Sequence, residues 1–202
     1  KNLFFAPDTY MEKIAVGPGL PKNLLDLDNS VEENISLLAN AKNTTPDKLT
    51  VCILERPRHD NFIKSLKKMN VNLKLISDGD VSGVMYVANI NSYIDMYLGI
   101  GGGPEGVLAA AALSCYGGQM QTRLVLNKEQ EIRAKKMGIS QLKKKYYIDD
   151  MIKGDVIFCA TAITNGDLID GIKDSKDHFE TSTIALHKDS KIKTIFKNKH
   201  KK

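Results

Sequence analysis

The alternation of strand-like and helix-like segments constrains the fold of this chain more than any other feature of its sequence. Short apolar runs are separated by amphipathic segments with a helical period, and short loops join them. The predicted helices span 29–43, 58–69, 81–89, 104–116, 128–137 and 146–153, and the predicted strands span 48–55, 71–77, 94–100, 120–126 and 155–163. Two more strand-like runs follow. This alternation predicts an α/β fold whose sheet contains parallel strands.

The first predicted helix has the clearest boundary signal in the sequence. Ser30 precedes the apolar periodicity and Glu33 follows three positions later, the spacing of a reciprocal capping box.

No internal repeat, low-complexity linker or composition shift divides the chain. We therefore expect residues 1–202 to form a single α/β body.

The net charge of +5 arises from local lysine clusters in 141–147 and 191–202. Such clusters could attract nucleic acid or an anionic membrane. Neither a zinc-finger spacing, nor a helix-turn-helix pattern, nor an aromatic-interleaved RNA motif accompanies them. A solvated lysine face is therefore favoured, and neither nucleic acid nor membrane is expected as a partner.

The cysteines indicate the compartment in which the chain works. Cys52, Cys115 and Cys159 are odd in number, far apart and set in apolar segments. Buried thiols of a reducing compartment have this distribution. No apolar run approaches the roughly 18 residues that would span a bilayer, and no signal peptide opens the chain. A cytoplasmic location is expected.

Polar stretches follow three of the predicted strands, at 55–59, 77–80 and 99–106. In open α/β sheets, sites gather at the carboxyl ends of strands. We therefore expect these three stretches to line one site.

The third stretch, "GIGGGPEG", joins a strand to an alanine-rich helix. Pro104 suits the first helical turn, and the free N–H groups of a helix start attract anions. Glycines would let a phosphate approach the backbone closely. Glu105 would repel that phosphate unless a hard cation such as Mg²⁺ lay between them. The alternative is that Glu105 only complements the helix dipole.

The other two stretches allow both functional and ordinary interpretations. Asp78-Gly79-Asp80 could bind metal, accept hydrogen bonds from sugar hydroxyls, or form a tight turn that begins a helix. Arg56-Pro57-Arg58 presents two guanidiniums that suit phosphate oxygens, although two arginines taken alone are more often surface residues than ligands. His59 is expected to begin the following helix rather than to act in acid–base chemistry. Together the three stretches favour a phosphorylated sugar as the ligand.

Five blocks of sequence carry a resemblance to a known family: "PDTYMEKIAVGP", "RPRH", "LISDGD", "GIGGGPEGVLAAAAL" and "GDVIFCATAITNGDL". In this order they resemble the class II fructose-1,6-bisphosphatases of bacteria, from about residue 6 to 187. The resemblance implies a layered α/β fold similar to the sugar phosphatases and inositol monophosphatases. It also implies a Mg²⁺- or Mn²⁺-dependent enzyme that removes the 1-phosphate of fructose 1,6-bisphosphate in gluconeogenesis. Some members also accept sedoheptulose 1,7-bisphosphate.

The resemblance also implies roles for particular residues. Glu105 would be a metal ligand and Gly102 would lie on the substrate. The sugar bisphosphate would be bound by Tyr10, Arg56-Pro57-Arg58 and Asp78-Gly79-Asp80. Some positions depart from the commonest family text: Gly103 stands where alanine is usual, Arg56 stands where lysine is frequent, and "CATAITNGD" replaces a form nearer "AATGITDGD".

The family's catalytic threonine and other metal ligands, in an acidic "DPIDGT"-like region, have no match in these residues. The chain also begins at Lys1 rather than at a methionine. We therefore expect a C-terminal portion of the enzyme, with a fold incomplete at its N-terminus and no activity on its own. The full-length enzyme is expected to be a homo-oligomer. The alternative is a non-catalytic phosphosugar-binding module.

Overall fold

The computed structural model describes residues 2–89 and 92–202. The helices are α1 Val31–Ala41, α2 Asp60–Lys68, α3 Asp80–Tyr86, α4 Gly103–Tyr116, α5 Lys128–Lys136 and α6 Ile148–Met151. The strands are β1 Tyr10–Val16, β2 Thr50–Leu54, β3 Asn72–Ile76, β4 Met96–Gly102, β5 Gln119–Val125, β6 Lys145–Tyr147, β7 Ile157–Thr161, β8 Lys173–Asp174, β9 His178–His187 and β10 Ile192–Lys201.

The main sheet has the strand order β3-β2-β4-β1-β5-β6. Strand β2 runs parallel to both β3 and β4, whereas the pairs β4–β1, β1–β5 and β5–β6 are antiparallel. Helices α2 and α3 lie in the connections between the parallel strands, as crossovers of this kind require. The predicted α/β class with parallel segments is confirmed.

The two faces of the main sheet bury separate hydrophobic clusters. On β1, Met11 and Ala15 face the cluster that contains α3 and α4, while Ile14 and Val16 face the cluster that contains α1 and α2. This division follows from the two-residue period of a strand. Helices therefore cover the sheet on both sides. Within α4, the buried alanines 109–112 keep the helix close to its neighbours.

The last part of the chain forms a second, antiparallel sheet in the order β10-β9-β7, with β8 on β9. Phe158, Ile184 and Leu186 of this sheet share a buried cluster with Met85 of α3 and Ala112 of α4. The two strand-like runs predicted at the end of the chain are therefore strands. Whether residues 1–202 behave as one domain stays a prediction.

Several predicted boundaries differ from those of the structure. A short 3₁₀ turn at Pro57–His59 precedes α2, so that helix begins later than the sequence pattern predicts. Strand β4 continues to Gly102 because Gly101 and Gly102 pair with β1. The helix predicted at 146–153 is only the four-residue α6, which follows β6. Strand β1 was not predicted.

The three cysteines are free, as the sequence suggested, but they are not all buried. Cys52 is fully buried, and burial raises the pKa of its thiol to about 12. Cys115 is half-buried. The expectation is wrong for Cys159, which is exposed because it lies on the face of β7 opposite the buried Phe158.

In the part of the chain that the structure describes, no helix combines the length and apolar character needed to cross a bilayer. The lysine cluster at 141–147 is partly neutralised. Lys144 pairs with Asp150, and Lys145 pairs with both Asp26 and Asp28.

Candidate functional site

The three polar stretches meet at one edge of the main sheet, as predicted. Because β2, β3 and β4 are parallel, their carboxyl ends lie side by side, and the register pairs Leu54 with Ile76. The antiparallel β1 brings its first residue, Tyr10, to the same edge, opposite Gly102. The start of β1 therefore also lines the site, which the strand periodicity of the sequence did not predict.

Arg58 links three of these elements. Its Nε donates a hydrogen bond to the carbonyl oxygen of Ile100 on β4, at 2.8 Å. Its guanidinium lies 4.8 Å from the ring centroid of Tyr10, which is half-exposed. Among the described residues, the remaining guanidinium N–H groups of Arg58 have no hydrogen-bond or ion-pair partner, so they are available to an anion at the sheet edge.

Arg56 and Pro57 are less closely integrated. Arg56 donates to the carbonyl oxygen of the preceding Glu55 at 3.0 Å. Within the described residues, no hydrogen bond or ion pair joins Arg56 to another candidate side chain. Pro57 is exposed and begins the 3₁₀ turn that carries Arg58.

His59 is buried and holds the turn to the sheet. Its Nδ1 lies 2.7 Å from the carbonyl oxygen of Leu54, and its Nε2 accepts the Ile100 N–H at 2.8 Å. This arrangement requires the neutral tautomer that donates from Nδ1. Burial lowers the pKa of His59, which favours the same neutral form. Both ring nitrogens therefore serve the backbone, consistent with a residue at the start of a helix.

The two aspartates of the Asp78-Gly79-Asp80 turn lie in different environments. Asp78 is exposed and accepts a hydrogen bond from the Gly79 N–H at 2.8 Å. Gly79 has a φ of +82°, a conformation that side-chain-bearing residues rarely adopt. Asp80 is buried as the first residue of α3. The turn thus does begin a helix, and only Asp78 projects freely toward solvent.

Asp80 forms an ion pair with Lys13, a residue that sequence reasoning missed. Lys13 lies on β1 and is 1% exposed. Burial lowers the pKa of Lys13, and the Asp80 carboxylate opposes that shift. The available signal was a charged residue in phase with the buried Met11 and Ala15 of the same strand.

The glycines at the end of β4 and the start of α4 lie close to neighbouring groups. A β-carbon on Gly101 would overlap the Asp80 carboxylate and lie 3.1 Å from Lys13 Nζ. On Gly106 it would lie 2.7 Å from the sulfur of Met11. These distances are well below the usual separation of non-bonded carbon atoms. Glycine is therefore needed at positions 101 and 106 to make room for the protein's own side chains, whether or not a ligand binds there.

Gly103 has a similar local reason, whereas Gly102 does not, because its near neighbour is the movable end of the exposed Glu105 side chain. A β-carbon on Gly102 would lie 2.6 Å from the carboxyl carbon of Glu105. On Gly103 it would lie 2.9 Å from the Pro7 carbonyl oxygen, and the Gly103 N–H donates to Thr9 at 2.7 Å. An alanine at position 103 would thus need Pro7 to move. Close approach of a phosphate to these glycines stays a prediction.

Glu105 is exposed in the first turn of α4, and its carboxylate folds back over Gly102. Oxygen ligands of this kind suit Mg²⁺ or Mn²⁺. Among the described residues, no group of three or more His, Cys, Asp or Glu side chains could hold a metal ion. Glu105 therefore fits a metal site as one ligand, and its place near the helix start also fits the dipole interpretation.

The fifth sequence block lies beside the same edge. A cavity of about 490 Å³ separates the Ser77–Gly79 turn from the loop at 161–166 that follows β7. Asp78 and Asn165 are among its polar lining residues, and much of the remainder is apolar. The block "ATAITNG" thus closes the side of the site next to Asp78.

Comparison with known proteins identifies relatives that match most of the chain. A class 2 fructose-1,6-bisphosphatase of Haemophilus influenzae is 36% identical over 98% of this chain and 63% of the relative. A D-fructose 1,6-bisphosphatase class 2/sedoheptulose 1,7-bisphosphatase of Prochlorococcus marinus strain MIT 9515 is 36% identical over 92% of this chain and 60% of the relative. A protein of the same description from Microcystis aeruginosa is 33% identical over 94% of this chain and 59% of the relative.

The chain thus spans about 59–63% of the length of these curated relatives. The family described as "Bacterial fructose-1,6-bisphosphatase, glpX-encoded" matches residues 1–200. On this match and these identities, the chain belongs to the bacterial, glpX-encoded fructose-1,6-bisphosphatase family.

Proposed function

We propose that this chain forms the sugar-phosphate side of an enzyme that hydrolyses the 1-phosphate of fructose 1,6-bisphosphate to give fructose 6-phosphate. The observation that carries the proposal is the convergence of Arg58, Tyr10, the Asp78–Asp80 turn and Glu105 at one sheet edge. Cationic, acidic and helix-terminal groups within one site suit a ligand with both phosphates and hydroxyls.

In this proposal Arg56 and Arg58 bind the phosphate that is retained, because a guanidinium matches phosphate oxygens with paired N–H donors. Pro57 fixes the backbone between them. Tyr10 supports Arg58 through its ring and offers its hydroxyl to the sugar phosphate. The carboxylates of the Asp78-Gly79-Asp80 turn accept hydrogen bonds from sugar hydroxyls.

Gly102 and Glu105 face the phosphate that is removed. Glu105 contributes one carboxylate ligand to Mg²⁺ or Mn²⁺, and the backbone at Gly102 lies against the substrate. The cations would neutralise the 1-phosphate, lower the pKa of an attacking water and stabilise charge on the leaving oxygen. Glu105 alone supplies too few ligands for that task. We therefore expect the 202-residue chain to bind the sugar phosphate without hydrolysing it.

A second candidate is a non-catalytic module that only binds phosphorylated sugars. The absence of a multi-residue metal cluster from residues 2–89 and 92–202 favours it. The catalytic proposal requires Mg²⁺ or Mn²⁺ to strengthen binding of the bisphosphate through Glu105. A binding module requires no such dependence.

Calorimetry of the chain with fructose 1,6-bisphosphate, with and without Mg²⁺, separates the candidates. We expect Mg²⁺ to strengthen binding in the wild type and to have little effect in Glu105→Gln. Glu129→Gln is the matched control, because Glu129 is also an acid in the first turn of a helix. If Glu105→Gln retained the full Mg²⁺ effect, Glu105 would not be a metal ligand. Phosphate release by the unmodified chain would contradict the expected lack of turnover.

The remaining features of the proposal follow the family resemblance. We propose a cytoplasmic enzyme that acts as a homo-oligomer in its full-length form and has no nucleic-acid partner. The free cysteines and the paired lysines at 144 and 145 are compatible with that description. Sedoheptulose 1,7-bisphosphate belongs in the same calorimetry, because the Prochlorococcus and Microcystis relatives carry that activity in their names.

A further inference from the structure

We propose that Lys13 is a positioning residue of the sugar site: its buried ammonium holds the Asp80 carboxylate and, through it, the Asp78-Gly79-Asp80 turn. The inference rests on the proposed function, in which this turn binds the sugar. It adds that a residue outside the turn keeps the turn in the geometry that binding requires. Lys13 does not touch the sugar in this scheme.

Lys13 is suited to act as a fixed anchor. Strand β1 is paired on both sides, so that Lys13 lies between Gly99 of β4 and Thr122 of β5. A backbone held by two neighbouring strands has little freedom to shift. The ammonium is completely enclosed, with a side-chain exposure of 0%.

The other hydrogen bonds of the turn, among the described residues, are local. Asp78 accepts a hydrogen bond from its neighbour Gly79, Ser82 Oγ donates to the Gly79 carbonyl at 2.7 Å, and the Gly83 N–H donates to the same oxygen at 2.9 Å. These contacts are all local and would move with the turn. The ion pair with Lys13 instead joins residues 67 positions apart and ties the turn to the centre of the sheet.

The surrounding backbone is shaped for this pair. Gly101 lacks the β-carbon that would overlap Asp80, and Gly106 lacks one that would lie 3.1 Å from Lys13 Cε. The pair therefore occupies a chamber between the end of β4 and the first turn of α4. Both walls adjoin Gly102 and Glu105, which the proposed function places against the substrate, so a shift of the pair would displace these residues.

The other charged groups near Lys13 do not replace Asp80 as its partner. Glu105 attracts Lys13 and Arg58 repels it, both more weakly than Asp80 acts. Glu105 folds over Gly102 and Arg58 is bonded to Ile100. Removing Lys13 would leave Asp80 as a buried charge without its counter-ion, and the turn would be expected to open toward water.

The test is a double-mutant cycle on binding of fructose 6-phosphate, measured by calorimetry with the 202-residue chain. Lys13→Met and Asp80→Asn are each expected to raise Kd by roughly tenfold or more, the loss typical of a misplaced charged hydrogen bond. The double variant should bind about as weakly as Asp80→Asn alone, because Lys13 acts only through Asp80. It removes both buried charges and so provides a folded variant if Lys13→Met is unstable.

Lys145→Met is the matched control, since Lys145 is also an ion-paired lysine on a strand of the main sheet. It should leave Kd unchanged within about twofold. An unchanged Kd in Lys13→Met would overturn the inference. So would a double variant whose increase in Kd equals the product of the two single increases, because Lys13 and Asp80 would then act independently. Failure of the wild type to bind fructose 6-phosphate would instead overturn the proposed function.

Amide hydrogen exchange without sugar gives a second readout that does not depend on binding. In Lys13→Met, the amides of Gly79 and Gly83 should exchange roughly tenfold faster or more, because the turn has lost its tie to the sheet. Amides of β5, such as that of Thr122, should keep their protection. Equal acceleration throughout the sheet would indicate general destabilisation and contradict a positioning role.

Discussion

Replacing Gly101 by alanine should disturb the Lys13–Asp80 pair without changing any charge. The β-carbon would overlap the Asp80 carboxylate, 3.2 Å from its carboxyl carbon and 3.1 Å from Lys13 Nζ. The backbone of Gly101 does not have the positive φ that disfavours alanine, so the cost arises from the contacts alone. Asp80 must therefore move, or β4 must shift against β1.

The magnitude follows from two known effects. Adding a methyl group to a filled site costs about 1–3 kcal/mol. Breaking a buried ion pair outright costs about 3–5 kcal/mol, which sets an upper limit because both partners remain present. We expect the free energy of unfolding to fall by about 2–4 kcal/mol. For a chain of this length that corresponds to a decrease in Tm of roughly 5–15 °C.

Gly99→Ala provides the control on the same strand and the same face. A β-carbon there would lie 3.4 Å from the hydroxyl oxygen of Tyr97 and 3.5 Å from His59, which are ordinary contacts. Its effect on stability should be within about 0.5 kcal/mol. Urea denaturation and thermal melting of the three proteins measure the difference. Equal stability of Gly101→Ala and Gly99→Ala would refute the idea that Gly101 is required by the buried pair.

Three further predictions concern other parts of the fold. Ser30→Ala removes the capping box of α1 and should cost about 1 kcal/mol in urea denaturation, whereas no change would mean that the box does not form in solution. Leu38→Ala, at a fully buried position of α1, should cost about 2–5 kcal/mol by the same assay, and a smaller loss would argue against that packing. Burial lowers the pKa of His59 in the folded protein below its unfolded value of about 6.5. The stability that the neutral, buried His59 contributes is therefore complete above about pH 6.5, and it is lost as the pH falls toward the lower folded-state pKa. Stability should decrease by up to about 1.4 kcal/mol per pH unit in that range, and a slope that persists in His59→Gln would assign it to other groups.

The local features of this fold were predictable from the sequence. The capping box at Ser30 and Glu33 forms as expected because its two hydrogen bonds join residues three positions apart. The meeting of the strand ends was also predictable, because parallel strands joined by helical crossovers present the same ends to one edge. Neither inference needed contacts between distant parts of the chain.

The Lys13–Asp80 pair could not be predicted in this way. Strand β1 reads "YMEKIAV", and a lysine on its buried face weakens the apolar alternation that would have identified it. The partner lies on α3, and only the packed arrangement of β1, β4 and α3 brings the two side chains together. The packing role of Gly101 and Gly106 was missed for the same reason, because the side chains that fill their space belong to β1 and α3.

The position of Glu105 has a physical consequence for how this site can bind an anion. Its carboxylate folds over Gly102 at the start of α4, where the helix dipole would otherwise attract a phosphate. Two anions cannot share that position without a cation between them, because their repulsion strengthens as water is excluded. The helix start and the carboxylate therefore favour a phosphate together with a divalent ion over either one alone. A dipole role for Glu105 is therefore compatible with the metal-ligand role of the proposed function, in which a cation and a phosphate would replace its interaction with the helix start.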